Sequence, residues 1–143
     1  MRHRKSGRRL KRTSAHRKAM RRNMVSNLFL VERIRTTPAK AKECRGFAEK
    51  LITIAKAGDL NSFRRVLAEL DDKFIARKLI KEIAPRFKDR PGGYVRILHL
   101  SASENRVGDN APQVIMELLP KETKAPAEGQ QPAAAAAAPA AKT

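Results

Sequence analysis

"KDRPGGYVRILHL" (residues 88–100) decides the fold, because here the chain changes its period. Upstream, apolar residues recur every three or four positions. Here a Pro-Gly-Gly turn opens Tyr94–Leu100, a run of large and β-branched residues. Turn residues followed by such a run predict a strand. A polar loop, "SASENRVGDNAP" (101–112), separates it from Gln113–Leu119, where Val114, Met116 and Leu118 alternate. A period of two puts one row of side chains on a buried face. The two segments are expected to pair antiparallel across the long connection.

Working back toward the N-terminus, the helical period predicts four helices. Thr13 or Ser14 caps the first, since a hydroxyl there accepts from an otherwise unpaired backbone N–H. Met20, Met24, Leu28 and Val31, spaced 4, 4 and 3, mark its core face, with His16, Arg17, Arg21 and Arg22 mostly off that face. In "RIRTTPAKAK" (33–42), Ile34-Arg35-Thr36 reads as a brief strand. Thr37 is expected to cap a second helix, with Pro38 at a first position that needs no N–H. Ala41, Cys44, Ala48, Leu51 and Ala55 form its stripe, and Gly58 suits a left-handed C-cap. A third helix from about Asn61 carries Phe63, Val66, Leu67 and Leu70. Asp71 or Asp72 caps a fourth, with Phe74, Ile75, Leu79 and Ile83, and Pro85 stops it nearby.

The order α-β-α-α-α-β-β predicts an α+β fold, its helices packed on one face of a small, about three-stranded mixed sheet. Residues 1–12 have no apolar period and read as an extended basic arm that adds nothing to the core. Residues 13–119 form a single domain. Residues 120–143 are Ala/Pro-rich and low in complexity; Pro132 and Pro139 bracket the alanine run and no amphipathic face exists, so a disordered tail is expected.

The formal charge is +18 and the sequence pI about 11.1, which points to a polyanion partner. Residues 1–22 hold eleven of the 32 Lys and Arg, and the first acidic residue is Glu32. Met24–Val31 imitates the apolar part of an export signal, but Ser26 and Asn27 interrupt it and Glu32-Arg33 replace a small-residue cleavage site. An organelle transit peptide fits the arm's composition and stays open at this point. No apolar run approaches the ~20 residues that span a bilayer, so no membrane partner is expected.

Groups that carry catalysis are sparse. His3, His16 and His99 lie far apart, and Cys44 sits in an apolar stripe. One cysteine excludes an intramolecular disulfide and a thiol-based zinc site, and fits a reducing compartment. "RPGGY" lacks the spacing of a phosphate-wrapping loop and reads as a tight turn, while Asp71-Asp72 reads as a helix cap. No enzyme activity, cofactor, metal or small-molecule substrate is expected. Lys and Arg at this density instead neutralise phosphates and release condensed counterions. The RNA contacts expected from the arm and first helix include Lys11, Arg21 and Arg22. No recognition helix or metal finger is evident, and with no Trp, one Tyr and five Phe the aromatic platforms of single-strand binders are missing. Recognition of folded RNA by charge and shape remains.

"MRHRKSGRRLKRTSAHRKAMRRNM", "RIRTTPAKAKECR" and "IAPRFKDRPGGYVRILHL" closely resemble, in colinear order over residues 1–119, the bacterial family of ribosomal protein seventeen of the large subunit. The resemblance implies a structural component that binds large-subunit ribosomal RNA near the polypeptide-exit side, beside other ribosomal proteins, in the cytoplasm. Its basic motif falls on Arg2, His3, Arg4, Lys5, Arg8, Arg9, Arg12, His16, Arg17 and Lys18. Its turn-and-strand signature falls on Arg90, Pro91, Gly92, Gly93, Tyr94 and Arg96, and "RVGDNAP" (106–112) matches the stretch before its last strand. It also removes the transit-peptide reading, because the arm belongs to the mature pattern. Ser101–Asn105, with Glu104, is less positive than the family pattern, and the Ala/Pro tail lies outside it. Two other classes stay in view. A nucleoid-associated DNA-binding protein would share the basic arm; an RNA-modifying enzyme would need a cofactor loop or an activated nucleophile that the chain does not display.

Overall fold

Thr13 starts the first helix as expected: its hydroxyl accepts from the His16 N–H, and α1 runs Ser14–Val31. The structure is a computed structural model that describes residues 7–120. Arg2, His3, Arg4 and Lys5 of the arm, and the tail beyond Pro120, lie outside the described residues. α1 ends at Glu32, which takes a left-handed φ of 65° and donates its N–H to the Leu28 carbonyl. The chain then enters β1, Arg33–Thr36. α2 spans Pro38–Ala55 with Pro in its first turn, but the Thr37 side chain makes no capping hydrogen bond. The preset φ of Pro38 and the extended backbone of Thr37 start this helix without a hydroxyl cap. Gly58 is left-handed, at φ +70°.

α3 spans Leu60–Leu70, capped by Asp59. The two adjacent aspartates divide their work. Asp71 closes α3 in a left-handed conformation, and Asp72 caps α4, Lys73–Lys78, by accepting from the N–H groups of Phe74 and Ile75. α4 then widens into a π turn, Leu79–Ile83, and tightens into a 3₁₀ turn, Ala84–Phe87, that contains Pro85. A proline lacks the N–H needed to continue the ladder, so the coil changes pitch before it ends.

β2 is Val95–His99 and β3 is Val114–Leu118. The sheet order is β1-β3-β2 and both pairings are antiparallel. The sequence suggests a mixed sheet; the last strand instead inserts between β1 and β2, so these two strands never pair. Val114, Met116 and Leu118 are buried, as the alternation predicts, and Ile34 and Ile97 flank Met116 in register on the same face. α1, α2 and the continuation of α4 supply the other side of the core, through Val25, Leu28, Phe29, Leu51, Ile52, Leu79 and Ile83.

Three positions differ from the expected core. Val31 is 64% exposed and Phe74 is 67% exposed. α1 buries Met20, Val25, Leu28 and Phe29, a face centred on a neighbouring line of the helix, which leaves Val31 at its margin in the last turn. On α4 the buried face is Ile75, Ala76 and Leu79, and Phe74 points away from it. Conversely, Leu10 of the arm packs against the core. Leu10 and Lys11 both take left-handed backbone, and the Arg12 N–H donates to the Arg9 carbonyl, forming a turn that tucks Leu10 inward. Gly7, at φ +88°, lies against Glu43 so closely that an added Cβ would sit 3.3 Å from Oε1, while the Arg8 N–H donates to Oε2 at 2.8 Å.

Leu28 is fully buried, so Leu28→Ala is expected to cost about 2–5 kcal/mol in urea unfolding. Val31→Ala, at an exposed position, should stay within about 0.5 kcal/mol. Equal losses at the two sites would contradict this face assignment. A second expectation concerns acid. Arg86 donates to both carboxylate oxygens of Glu32, at 2.6 and 2.7 Å. That hydrogen bonding holds the Glu32 carboxyl below its ordinary value, against the opposing effect of partial burial. A carboxyl depressed in the folded state stabilises the fold above its unfolded pKa and loses that contribution as pH falls through the folded one. The stability gap between wild type and Glu32→Gln should therefore be full near neutral pH and shrink below the ordinary carboxylate range. Urea titrations at several pH values measure it; a gap that does not move between pH 7 and 3 would show that the pair contributes nothing.

Candidate nucleic-acid interface

The chain spends its few carboxylates on particular arginines. Glu117, on the central strand, stands in register between Arg33 and Arg96, and pairs with them at 3.4 and 2.6 Å. Arg106 pairs with Asp109 within the loop before β3, and this holds the Asp109 carboxyl down at about 2. Arg35 donates to the Glu104 carbonyl, tying β1 to the same loop. Arg45 and Glu49 pair along α2. These cations serve the fold.

Around the start of α1 the pattern is different. Among the described residues, the side chains of Arg8, Arg9, Lys11, Arg12, Arg17 and Lys18 have no ion-pair partner. Arg8, Arg9, Lys11 and Lys18 are exposed, and His16 lies exposed among them on the first turn of α1. Glu43 holds this region in place by accepting the Arg8 backbone N–H and approaching Arg21 at 3.7 Å. Arg21 also lies over the Phe47 ring, 5.7 Å from its centroid. Arg22 is committed to the fold. Its Nε donates to the Glu69 carbonyl at 2.8 Å, and it pairs with Asp71 at 3.3 Å. It thus satisfies the carbonyl end of α3, where a cation is favoured.

The turn before β2 forms a separate group. Gly93 is left-handed, at φ +66°, and nothing lies within 4 Å of a Cβ built on Gly92 or Gly93, so their backbone faces open space. Arg90 donates through Nε to the Gly92 carbonyl at 3.2 Å. Its own carbonyl accepts from Lys56 Nζ at 2.7 Å and from the Tyr94 hydroxyl at 3.2 Å. Tyr94 is 1% exposed, with its ring 5.1 Å from that of Phe87. Expected as an RNA contact, it is a core residue whose hydroxyl fastens the turn. A phenol placed among apolar rings still needs a hydrogen-bond partner, and the Arg90 carbonyl supplies it.

The two groups lie apart. Arg8 and Arg21 gather at Glu43 near the start of α2 and Lys56 holds the turn at its end, about 20 Å along the helix axis. Sequence reasoning misses Lys56 and Arg35; their partners lie 34 and 69 residues away in the chain, and no local spacing signals them. Cys44 is buried beside Met24, and burial first, then the Glu43 charge, pushes its thiol up to about 11. A thiol in that state is not a nucleophile near neutral pH. Among the described residues, no group of three His, Cys, Asp or Glu could hold a metal ion.

Comparison with known proteins places this arrangement. The family model described as ribosomal protein L17 matches residues 20–119. A large ribosomal subunit protein bL17 from Syntrophotalea carbinolica is 53% identical over 122 residues, 85% of this chain and 77% of its own. Proteins of the same name from Geobacter sulfurreducens and Thermus thermophilus are 49% and 53% identical. The first alignment covers 99% of this chain and 79% of the relative, and so takes in the basic arm; the second covers 83% and 99%. With a family match across the whole sheet and every helix but the start of α1, and relatives this similar over most of their length, the chain belongs to the ribosomal protein L17 family.

Proposed function

We propose that this protein is a structural, non-enzymatic constituent of the bacterial large ribosomal subunit, held on ribosomal RNA by its basic arm and the start of α1. Membership of the ribosomal protein L17 family supports the assembly and the cytoplasmic location. The observation that carries the RNA reading is the unpaired cation group: Arg8, Arg9, Lys11, Arg12, Arg17 and Lys18 have no acidic partner among the described residues, whereas Arg33, Arg86, Arg96 and Arg106 do. Cations without an acidic partner keep their full attraction for phosphate.

In this reading residues 1–12, including Arg2, His3, Arg4 and Lys5, reach into the RNA, and His16, Arg17 and Lys18 continue that surface. Residues 13–119 form the body, which also meets neighbouring ribosomal proteins. The turn at Gly92-Gly93 offers backbone to a phosphate at a second point, with Arg90 and Arg96 beside it. Tyr94 and Arg22 act indirectly by holding shape. Residues 120–143 carry three basic against two acidic side chains and are assigned no RNA contact. A nucleoid DNA-binding role would use the same charges, and sedimentation separates the two: the protein should travel with the large subunit and not with DNA.

Removing residues 2–9 deletes Arg2, Arg4, Lys5, Arg8 and Arg9 but keeps Leu10 on the core. The truncated protein should retain its helical circular dichroism. Its affinity for large-subunit RNA should fall at least tenfold, about 1.4 kcal/mol. The plot of log K against log salt should become shallower by about 0.7 to 0.9 for each phosphate that the shortened arm no longer neutralises. Undiminished binding by the truncated chain would place the RNA surface elsewhere.

A further inference from the structure

Between α1, α2 and α3 lies a recess of about 260 Å³, lined by Lys18, Arg21, Arg22, Phe47, Lys50 and Glu69. Four of the six lining residues are cationic and one is acidic. Their hydrogen-bonding capacity is spent unevenly. Arg22 gives its donors to the carbonyl end of α3 and to Asp71. Lys18 and Lys50 have no partner among the described residues. Arg21 makes no hydrogen bond among them, only the 3.7 Å approach to Glu43 and the contact over Phe47, and its Nε is buried without a partner. A buried donor left unpaired costs free energy comparable to a missing hydrogen bond. A recess that gathers positive charge and leaves donors unmet is suited to an anion with several acceptor oxygens.

We infer that this recess is a phosphate seat: one backbone phosphodiester of the RNA lies between Lys18 and Lys50, near Arg21, with Arg22 and Phe47 positioning the site. The inference rests on the RNA-binding reading above and adds to it a place on α2. Phe47 supports the Arg21 guanidinium from below, so the ring holds the cation and does not stack a base. Glu69 in the lining limits the net charge, which favours a singly charged phosphodiester over a more highly charged anion.

Lys50→Ala and Lys18→Ala test this in the full-length protein, with Lys81→Ala, exposed and outside the recess, as the control. Each recess variant should weaken binding to large-subunit RNA by roughly tenfold and flatten the salt slope by about 0.7 to 0.9. The double variant should weaken binding by less than the two single effects combined, because both ammonium groups serve one phosphate. The Arg21 Nε–H resonance should shift when RNA is added. The seat is overturned if Lys50→Ala behaves as Lys81→Ala and the Arg21 resonance stays still, while removal of residues 2–9 still weakens binding; the RNA-binding reading then survives without it. It is equally overturned if millimolar inorganic phosphate moves the Arg21 resonance and RNA does not, which would make the recess a site for free phosphate. Wild-type protein that fails to bind RNA at all would sink both readings together.

Discussion

The architecture turns on Glu32. Helix α1 must stop and reverse into an edge strand within one residue, and Glu32 does this with a left-handed backbone, φ 65°. Three groups of that residue then bind three different elements. Its N–H satisfies the Leu28 carbonyl at the end of α1, its carbonyl accepts the Leu118 N–H of the central strand, and its carboxylate takes both guanidinium donors of Arg86. Lys78 adds a bond from α4 to the Leu30 carbonyl at 2.7 Å. A left-handed conformation in a side-chain-bearing residue is uncommon. Here three hydrogen-bonded elements hold it. Helix, sheet and the irregular end of α4 are thereby set relative to one another, and so is the direction in which α1 projects its first turns.

Each acidic side chain near an arginine converts a potential RNA contact into a brace. Arg86, Arg96 and Arg106 are such braces, and surface pairs of this kind add little stability individually, so geometry is their main contribution. Where the arm joins α1, Arg8, Arg9, Lys11, Arg12, Arg17 and Lys18 are left without an ion pair among the described residues. Net positive charge on the chain as a whole is self-repulsive, and sequestering the carboxylates in the body leaves that repulsion concentrated at one end.

Much of the fold is legible in local patterns. The start of α2 at Pro38, the alternation of Val114, Met116 and Leu118, and the cap of α1 at Thr13 are such patterns, and each holds. The misreadings have a common physical origin in tertiary context. Val31 and Phe74 have the right spacing for a core face, but the neighbouring elements lie over a different line of each helix. Arg22 and Tyr94, expected as RNA contacts, also have partners inside the fold, an α3 carbonyl and the Arg90 carbonyl. Leu10, alone among charges, carries no periodic signal, and only its left-handed turn brings it to the core. The mixed-sheet expectation fails because strand order is set by where β3 inserts, which no segment records on its own.

The first turn of α1 shows why charge and fold are in tension here. It contains no acidic residue and instead carries His16 and Arg17. The helix dipole places partial positive charge at this end, so the Arg17 cation is disfavoured here by a few tenths of a kcal/mol, and an acid would be preferred. The Thr13 cap and the burial of Met20, Val25, Leu28 and Phe29 on the same helix offset that cost. In the proposed RNA-bound state the same dipole would favour a phosphate at this end. On the RNA-binding role proposed above, the feature that weakens the isolated helix would strengthen its hold on RNA.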